Sequence, residues 1–137
     1  TIRDNLTMWN SSILEEDIIR AAKDACIHDV ITRKPGAYEY ELTEGGSNMS
    51  GGQRQRVWIA LALAQQTDIL LLDEPTTYLD IAYQVEILDL LMELNKKRGT
   101  TILMVLHDIN LSARYADHIF AMSKGKLIAQ GSPSEVI

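Results

Sequence analysis

Cysteine is nearly missing from this chain: Cys26 stands alone, so no internal disulfide can form. It follows Ile18, Ile19, Ala22 and Ala25 at helical spacing, which assigns it to the apolar side of a helix as an inert core thiol and fits a cytosolic setting. No apolar run approaches the ~18 to 20 residues of a membrane span, and no basic-then-apolar leader opens the chain. Direct membrane insertion is thereby excluded, and membrane association has to run through a partner. Basic residues are the minority, thirteen against nineteen acidic, and the net charge of -6 excludes a nucleic-acid coat and a free-standing binder of anionic membranes. The phosphate loop G-x-x-x-x-G-K-[ST] is also absent: Gly46 and Gly51 have its glycine spacing, but Gly52 stands where the lysine must be. With 46% apolar residues, disorder is excluded, and 137 residues can build one core or a large part of a bigger domain.

The texture changes near residue 48. Before it, residues 1–48 predict small helices and loops: Ser12 and Glu15 have capping-box spacing ahead of a helix to about Ile27, and Pro35-Gly36 marks a turn. Residues 49–137 predict an α/β unit. Ser50 and Gln53 repeat the capping-box spacing, and Val57, Ala60, Leu61 and Ala64 give the helix that follows one apolar stripe. Ile69 to Leu72 is a continuous apolar run, the pattern of a parallel strand buried on both faces. Asp80 caps a long helix to about Arg98, stopped by Gly99, and Thr100 to Leu106 forms a second strand. A short helix over 108–116, a hairpin around Lys124-Gly125-Lys126 and a helix start at Ser132-Pro133-Ser134-Glu135 complete the pattern. The chain opens at Thr1 without methionine and stops just inside that last helix, so both ends read as cuts in a longer design.

Ligands of open α/β sheets sit beyond the carboxyl ends of the strands. The first strand ends in Asp73-Glu74-Pro75 and the second in His107-Asp108, which brings carboxylates and an imidazole to one rim. Neighbours in an extended chain face opposite ways, so Asp73 and Glu74 suit two jobs: Asp73 a magnesium ion, Glu74 a water. Proline after Glu74 predicts an extended backbone there. The alternative is a solvated pair capping the next turn. His107 alone equally suits a hydrogen-bonded structural role, and His28 and His118 are structural or exposed. Trp9 and Trp58 are core or subunit-contact residues. Gly51-Gly52 costs helix stability, up to about 1 kcal/mol per residue. Bare amides at a positive helix end admit an anion, with Ser50 and Gln53 as added donors, although an ordinary cap would use the same residues.

Taken together, Met49-Ser50-Gly51-Gly52-Gln53, Ile69 to Glu74, Thr77 to Asp80 and His107 resemble, in order and spacing, the second half of the ATPase cassette of ABC transporters. The resemblance implies a partial P-loop NTPase (RecA-like) α/β core with parallel strands and an ABC helical subdomain. It makes Ser50 to Gln53 the signature motif, with Met49 for the usual leucine. Asp73 becomes the magnesium-contacting Walker B aspartate, Glu74 the catalytic glutamate, Asp80 part of the D-loop and His107 the switch histidine. Thr43-Glu44-Gly45-Gly46 is loosely similar to the loop that touches membrane domains in exporters. Cassettes of this family pair head to tail, the signature of one closing over ATP held by the phosphate loop of another. The implied partners are a second cassette and a transmembrane transporter subunit, the implied ligands ATP and Mg2+, and the place cytoplasmic. Lacking a lysine loop, the chain is not expected to hydrolyse ATP alone. The alternatives are a module without chemistry that docks on an intact cassette or a transporter membrane subunit, and a soluble non-transport ATPase. Residues 1–48 are similar to peptide or lipid exporters and Gln65 onward to iron-siderophore importers, the pattern of a mosaic.

Overall fold

The computed structural model describes residues 1–137. Its front is helical: α1 (Ile2–Thr7), α2 (Glu15–Asp24) and α3 (His28–Thr32), then single 3-10 turns at Ala37–Glu39 and Glu44–Gly46. There follow α4 (Gly51–Ala64), β1 (Ile69–Leu72), α5 (Ile81–Arg98), β2 (Thr101–Met104), α6 (Ile109–Tyr115), the hairpin β3 (Ile119–Ser123) and β4 (Lys126–Gly131), and α7 (Pro133–Val136).

Local chemistry fixes most boundaries. At the start of α5, Asp80 Oδ1 accepts from the N–H groups of Ala82 and Tyr83, and Lys96, Lys97 and Arg98 sit at the negative end. Gly99, at φ 69°, then turns the chain out in the left-handed conformation that favours glycine. Lys124 and Gly125 both have positive φ, which two-residue hairpin turns of matching twist require. Ser132 and Glu135 close a capping box at α7.

β1 and β2 pair in parallel, Leu70 with Ile102 and Leu72 with Met104. Leu70, Leu72, Ile102 and Met104 face the helices. The expectation that β1 is buried on both faces is corrected here: Ile69 is 57% exposed and Leu71 69%. Leu103 and Val105 continue the same open side. A two-stranded sheet covered by helices on one side alternates in and out, so only half its apolar residues find partners.

One core runs through both portions of the chain. α4 packs on α1 and α2 and also touches α5. Its buried residues, Val57, Ile59, Ala60, Leu63 and Ala64, therefore cover a wider arc than the single stripe expected. Polar ties join the same layers: Arg56 Nη2 lies 2.7 Å from Glu86 Oε2. Lys97 Nζ lies 2.6 Å from Asp24 Oδ1, and the Arg98 guanidinium grips Asp24 Oδ2.

Other departures sit around α2. Ser12 does not cap it; Leu14 holds that position, while Ser12 bonds Asn10 and Glu15 pairs with Arg3. Nor is Cys26 a core thiol. The helix stops at Asp24, and Cys26 is exposed at φ 52°. Its N–H donates to Lys23 O and that of the buried Ile27 to Ala22 O, the paired bonds of a helix stop with a left-handed residue that is usually glycine. Trp9 and Trp58 are 76% and 67% exposed, which removes the core option for both.

Two stability predictions follow from these joints. Cys26→Gly relieves a left-handed side chain and should raise unfolding free energy by about 0.5 to 1 kcal/mol, read from urea titrations. Burial pushes the Asp24 carboxyl up, but Lys97 and Arg98 more than offset it and hold it below its ordinary 3.8. A depressed carboxylate stabilises the fold above its unfolded pKa and loses that contribution as pH falls through the folded one. Asp24→Asn should therefore cost about 1 to 2 kcal/mol at neutral pH, with the difference closing below the ordinary carboxylate range.

Candidate active site

The parallel register sets the site. Leu72 lies beside Met104, and Val105 N–H donates to Leu72 O at 3.0 Å, so both strands finish at the same level. Beyond that rim Glu74 Oε1 lies 2.6 Å from His107 Nε2. Thr77 Oγ1 donates to Glu74 Oε2 at 2.8 Å, so both carboxylate oxygens are engaged. These residues, with Thr76, Gln84, Val105 and Asp108, line one polar pocket.

The turn that aims Glu74 is anchored from below. Pro75 is fully buried and Thr76 is 8% exposed. Thr77 N–H donates to Glu74 O at 3.1 Å, a turn with proline at its second position. Glu74 itself has φ 49°, not the extended backbone expected before proline. Such a conformation costs on the order of 1 kcal/mol or more and persists where its surroundings over-determine it. Here the buried Pro75 on one side and the bonds to Thr77 and His107 on the other do so.

The His107 and Thr77 hydrogen bonds hold the Glu74 carboxyl below its ordinary 4.5. At neutral pH it is an anion with two donors, able to accept from a water or to hold the imidazole. Both partners remain open to solvent, with side chains 39% and 70% exposed for Glu74 and His107.

The other expected site residues lie apart from this pair. Asp73 is exposed, and no group of three or more acidic, His or Cys residues could cage a metal. A lone carboxylate fits only an ion that takes its remaining ligands from water and phosphate, as magnesium does. Asp80 is occupied as the α5 cap. Ser50 Oγ accepts from Gln53 N–H, and Gln53 Oε1 accepts from Ser50 N–H, closing the expected capping box. The N–H groups of Gly51 and Gly52 donate to nothing. A Cβ at either glycine would sit 3.4 Å from Leu79 or Tyr83.

Sequence reasoning missed Thr77 as the second donor to Glu74 and Gln84, whose Nε2 donates to Leu79 O at 2.8 Å and pins the same loop. The hydroxyl three residues beyond an acidic strand end was the available signal for Thr77. Gln84 carried none.

Residues 1–77 match the family model for the ABC transporter. The chain is 52% identical over 132 residues to the probable siderophore transport system ATP-binding protein YusV of Bacillus subtilis (strain 168), covering 96% of this chain and 44% of that protein. It is 39% identical to the lactococcin-G-processing and transport ATP-binding protein LagD of Lactococcus lactis subsp. lactis, over 99% of this chain and 19% of LagD. Its structure is similar to that of a bacterial Atm1-family ABC exporter with ATP bound, TM-score 0.82 at 33% identity, over 99% of this chain and 23% of that one. The chain thus spans less than half the length of these relatives.

The Glu74–His107 contact makes a titration prediction. In carbon-detected NMR the Glu74 carboxyl should titrate below 4.5, and His107→Ala should move it back up. An unchanged Glu74 midpoint would show that the contact is not made in solution.

Proposed function

The chain belongs to the ABC transporter family, and from that premise we propose that it is the signature-to-switch part of an ATPase cassette whose hydrolysis of ATP powers transport. The observation that carries the proposal is the Glu74–His107 pair at 2.6 Å beyond two parallel strand ends, in one pocket with Thr77. Phosphoryl transfer to water rests on positioning and on stabilising charge, and this pair supplies a held acceptor for a water proton.

The roles divide by place. Glu74 accepts from the attacking water, and His107 keeps the carboxylate aimed through Nε2; its N–H would reach the outgoing phosphate only by leaving Glu74. Asp73 would hold magnesium, which neutralises phosphate charge when bound. Ser50, the free amides of Gly51 and Gly52, and Gln53 would meet the γ-phosphate of ATP carried by a second cassette in a head-to-tail pair. Asp80 fixes the start of α5 and with it the loop between Glu74 and that helix. Residues 1–48 act as the helical subdomain and 49–137 as signature helix plus α/β core, working in the cytoplasm on a transmembrane transporter subunit. The identity to YusV, 52% against 39% to LagD at comparable coverage, favours siderophore transport over transport of the lactococcin kind.

These residues include no lysine-bearing phosphate loop, so the chain alone should show no phosphate release. Mixed with an intact cassette whose own signature serine is replaced by arginine, it should restore hydrolysis by supplying Ser50. Ser50→Arg in this chain should abolish the restoration while leaving its circular dichroism unchanged. Nucleotide-independent binding without restored hydrolysis would instead favour a module that docks through its signature helix and helical subdomain, without chemistry of its own.

A further inference from the structure

The segment leading into α4 is tied together by one side chain. Asn48 Oδ1 accepts from Thr43 N–H at 3.3 Å, and Nδ2 donates to Glu41 O at 3.0 Å and to Tyr40 Oη at 3.2 Å. Its backbone takes part as well: Asn48 N–H donates to Thr43 Oγ1 at 3.1 Å, and Asn48 O accepts from Lys34 Nζ at 3.4 Å. The same ammonium lies 4.5 Å from the Tyr40 ring centroid. One residue thus joins 34, 40, 41 and 43 two positions before Ser50.

A second tie comes from the helix side. Arg54 Nη1 donates to Met49 O at 2.7 Å and to Gly46 O at 3.4 Å. Gly46, at φ 65°, lies so close that a Cβ there would sit 3.0 Å from Arg54 Cδ. Met49, between the two ties, is 4% exposed. The chain entering α4 is therefore held from both directions, with Ser50 as the first exposed residue beyond the clasp.

We propose that Asn48 is a positioning residue: by clasping residues 40–48 it sets the direction in which Ser50 and the amides of Gly51 and Gly52 face. This rests on the function proposed above only for what those groups meet. Donors aimed in advance need no reorganisation when charge develops, whereas a loosened entry lets the first turn fray and lowers turnover more than affinity. A residue that merely stiffens its own loop would leave the α4 cap untouched.

Amide hydrogen exchange on the 137-residue chain separates these. Asn48→Leu should speed exchange about tenfold at Thr43 and also at Gln53 and Arg54, whose N–H groups bond Ser50, with α5 unchanged. Asn48→Asp, which keeps the acceptor for Thr43 N–H, should fall between. If Asn48→Leu does not fold, Thr43→Ala, which removes the hydroxyl bound by Asn48 N–H, should give the same pattern more weakly. Faster exchange at Thr43 with Gln53 and Arg54 unaffected overturns the proposal. In the mixed-cassette assay Asn48→Leu should lower kcat about tenfold with KM for ATP within about twofold. A raised KM at constant kcat also overturns it. Should the unaltered chain fail to restore hydrolysis while the exchange pattern holds, the proposed function falls and the clasp stands.

Discussion

Parallel pairing of β1 with β2 is the constraint on which the site depends. Parallel strands start and finish together, so a four-residue ladder suffices to bring residues 33 positions apart, Glu74 and His107, to one rim. The crossover that parallel strands require is α5, and its two ends are the best-marked in the chain: an aspartate cap, three cations in the last turn and a left-handed glycine. Without that defined length of helix the two strand ends would have no fixed register. The chemistry at the rim thus depends on a helix that starts near it, at Asp80, and returns the chain to the far end of the sheet before β2 begins.

A shared rim does not by itself make a contact, and the loop after β1 supplies the rest. Asp73 and Glu74 differ by one position, yet only Glu74 is turned toward His107. The turn at Pro75 accompanies this: the proline ring is buried, and Glu74 sits left-handed at φ 49°, against the extended backbone that proline favours in the residue before it. Thr77 and Gln84 then hold the loop from its far side, one by the carboxylate and one by Leu79 O. Local backbone cost is accepted where several contacts converge on a single side chain.

Elements whose ends carry chemical markers were legible in the sequence. α4, α5 and α6 each begin at a residue whose side chain is the cap, α7 begins at Ser132-Pro133 with Glu135 reaching back to Ser132 N–H, and the hairpin turn carries its glycine. What was not legible depended on contacts distant in sequence. Ser12 and Glu15 have capping-box spacing, but Glu15 is drawn to Arg3, and the helix starts without a side-chain cap. Cys26 continues the apolar period of α2, yet the helix ends first because Ile27 packs into the core and closes a left-handed stop. The apolar run of β1 announces two buried faces, while the helices of these residues cover one. At the site, the strand-end residues could be read directly, since the carboxyl-end rule needs only topology. The approach of Glu74 to His107 required the turn geometry, for which the sequence before Pro75 suggested the opposite backbone.

The glycines at the start of α4 can be weighed against packing. Gly51 faces Leu79 and Gly52 faces Tyr83, both near the start of α5, so α4 and the Glu74 loop are neighbours inside one chain. An added Cβ would meet each at 3.4 Å, the edge of ordinary van der Waals contact, so alanine would fit there with little displacement. Crowding alone does not call for glycine. Helix propensity argues against it, by up to about 1 kcal/mol for each of two consecutive positions. What glycine alone gives is an unobstructed pair of N–H groups, and those two groups have no acceptor within the chain. The cost in helix stability is consistent with the proposed role of these amides, at the positive end of a helix whose entry is tied by Asn48 and Arg54.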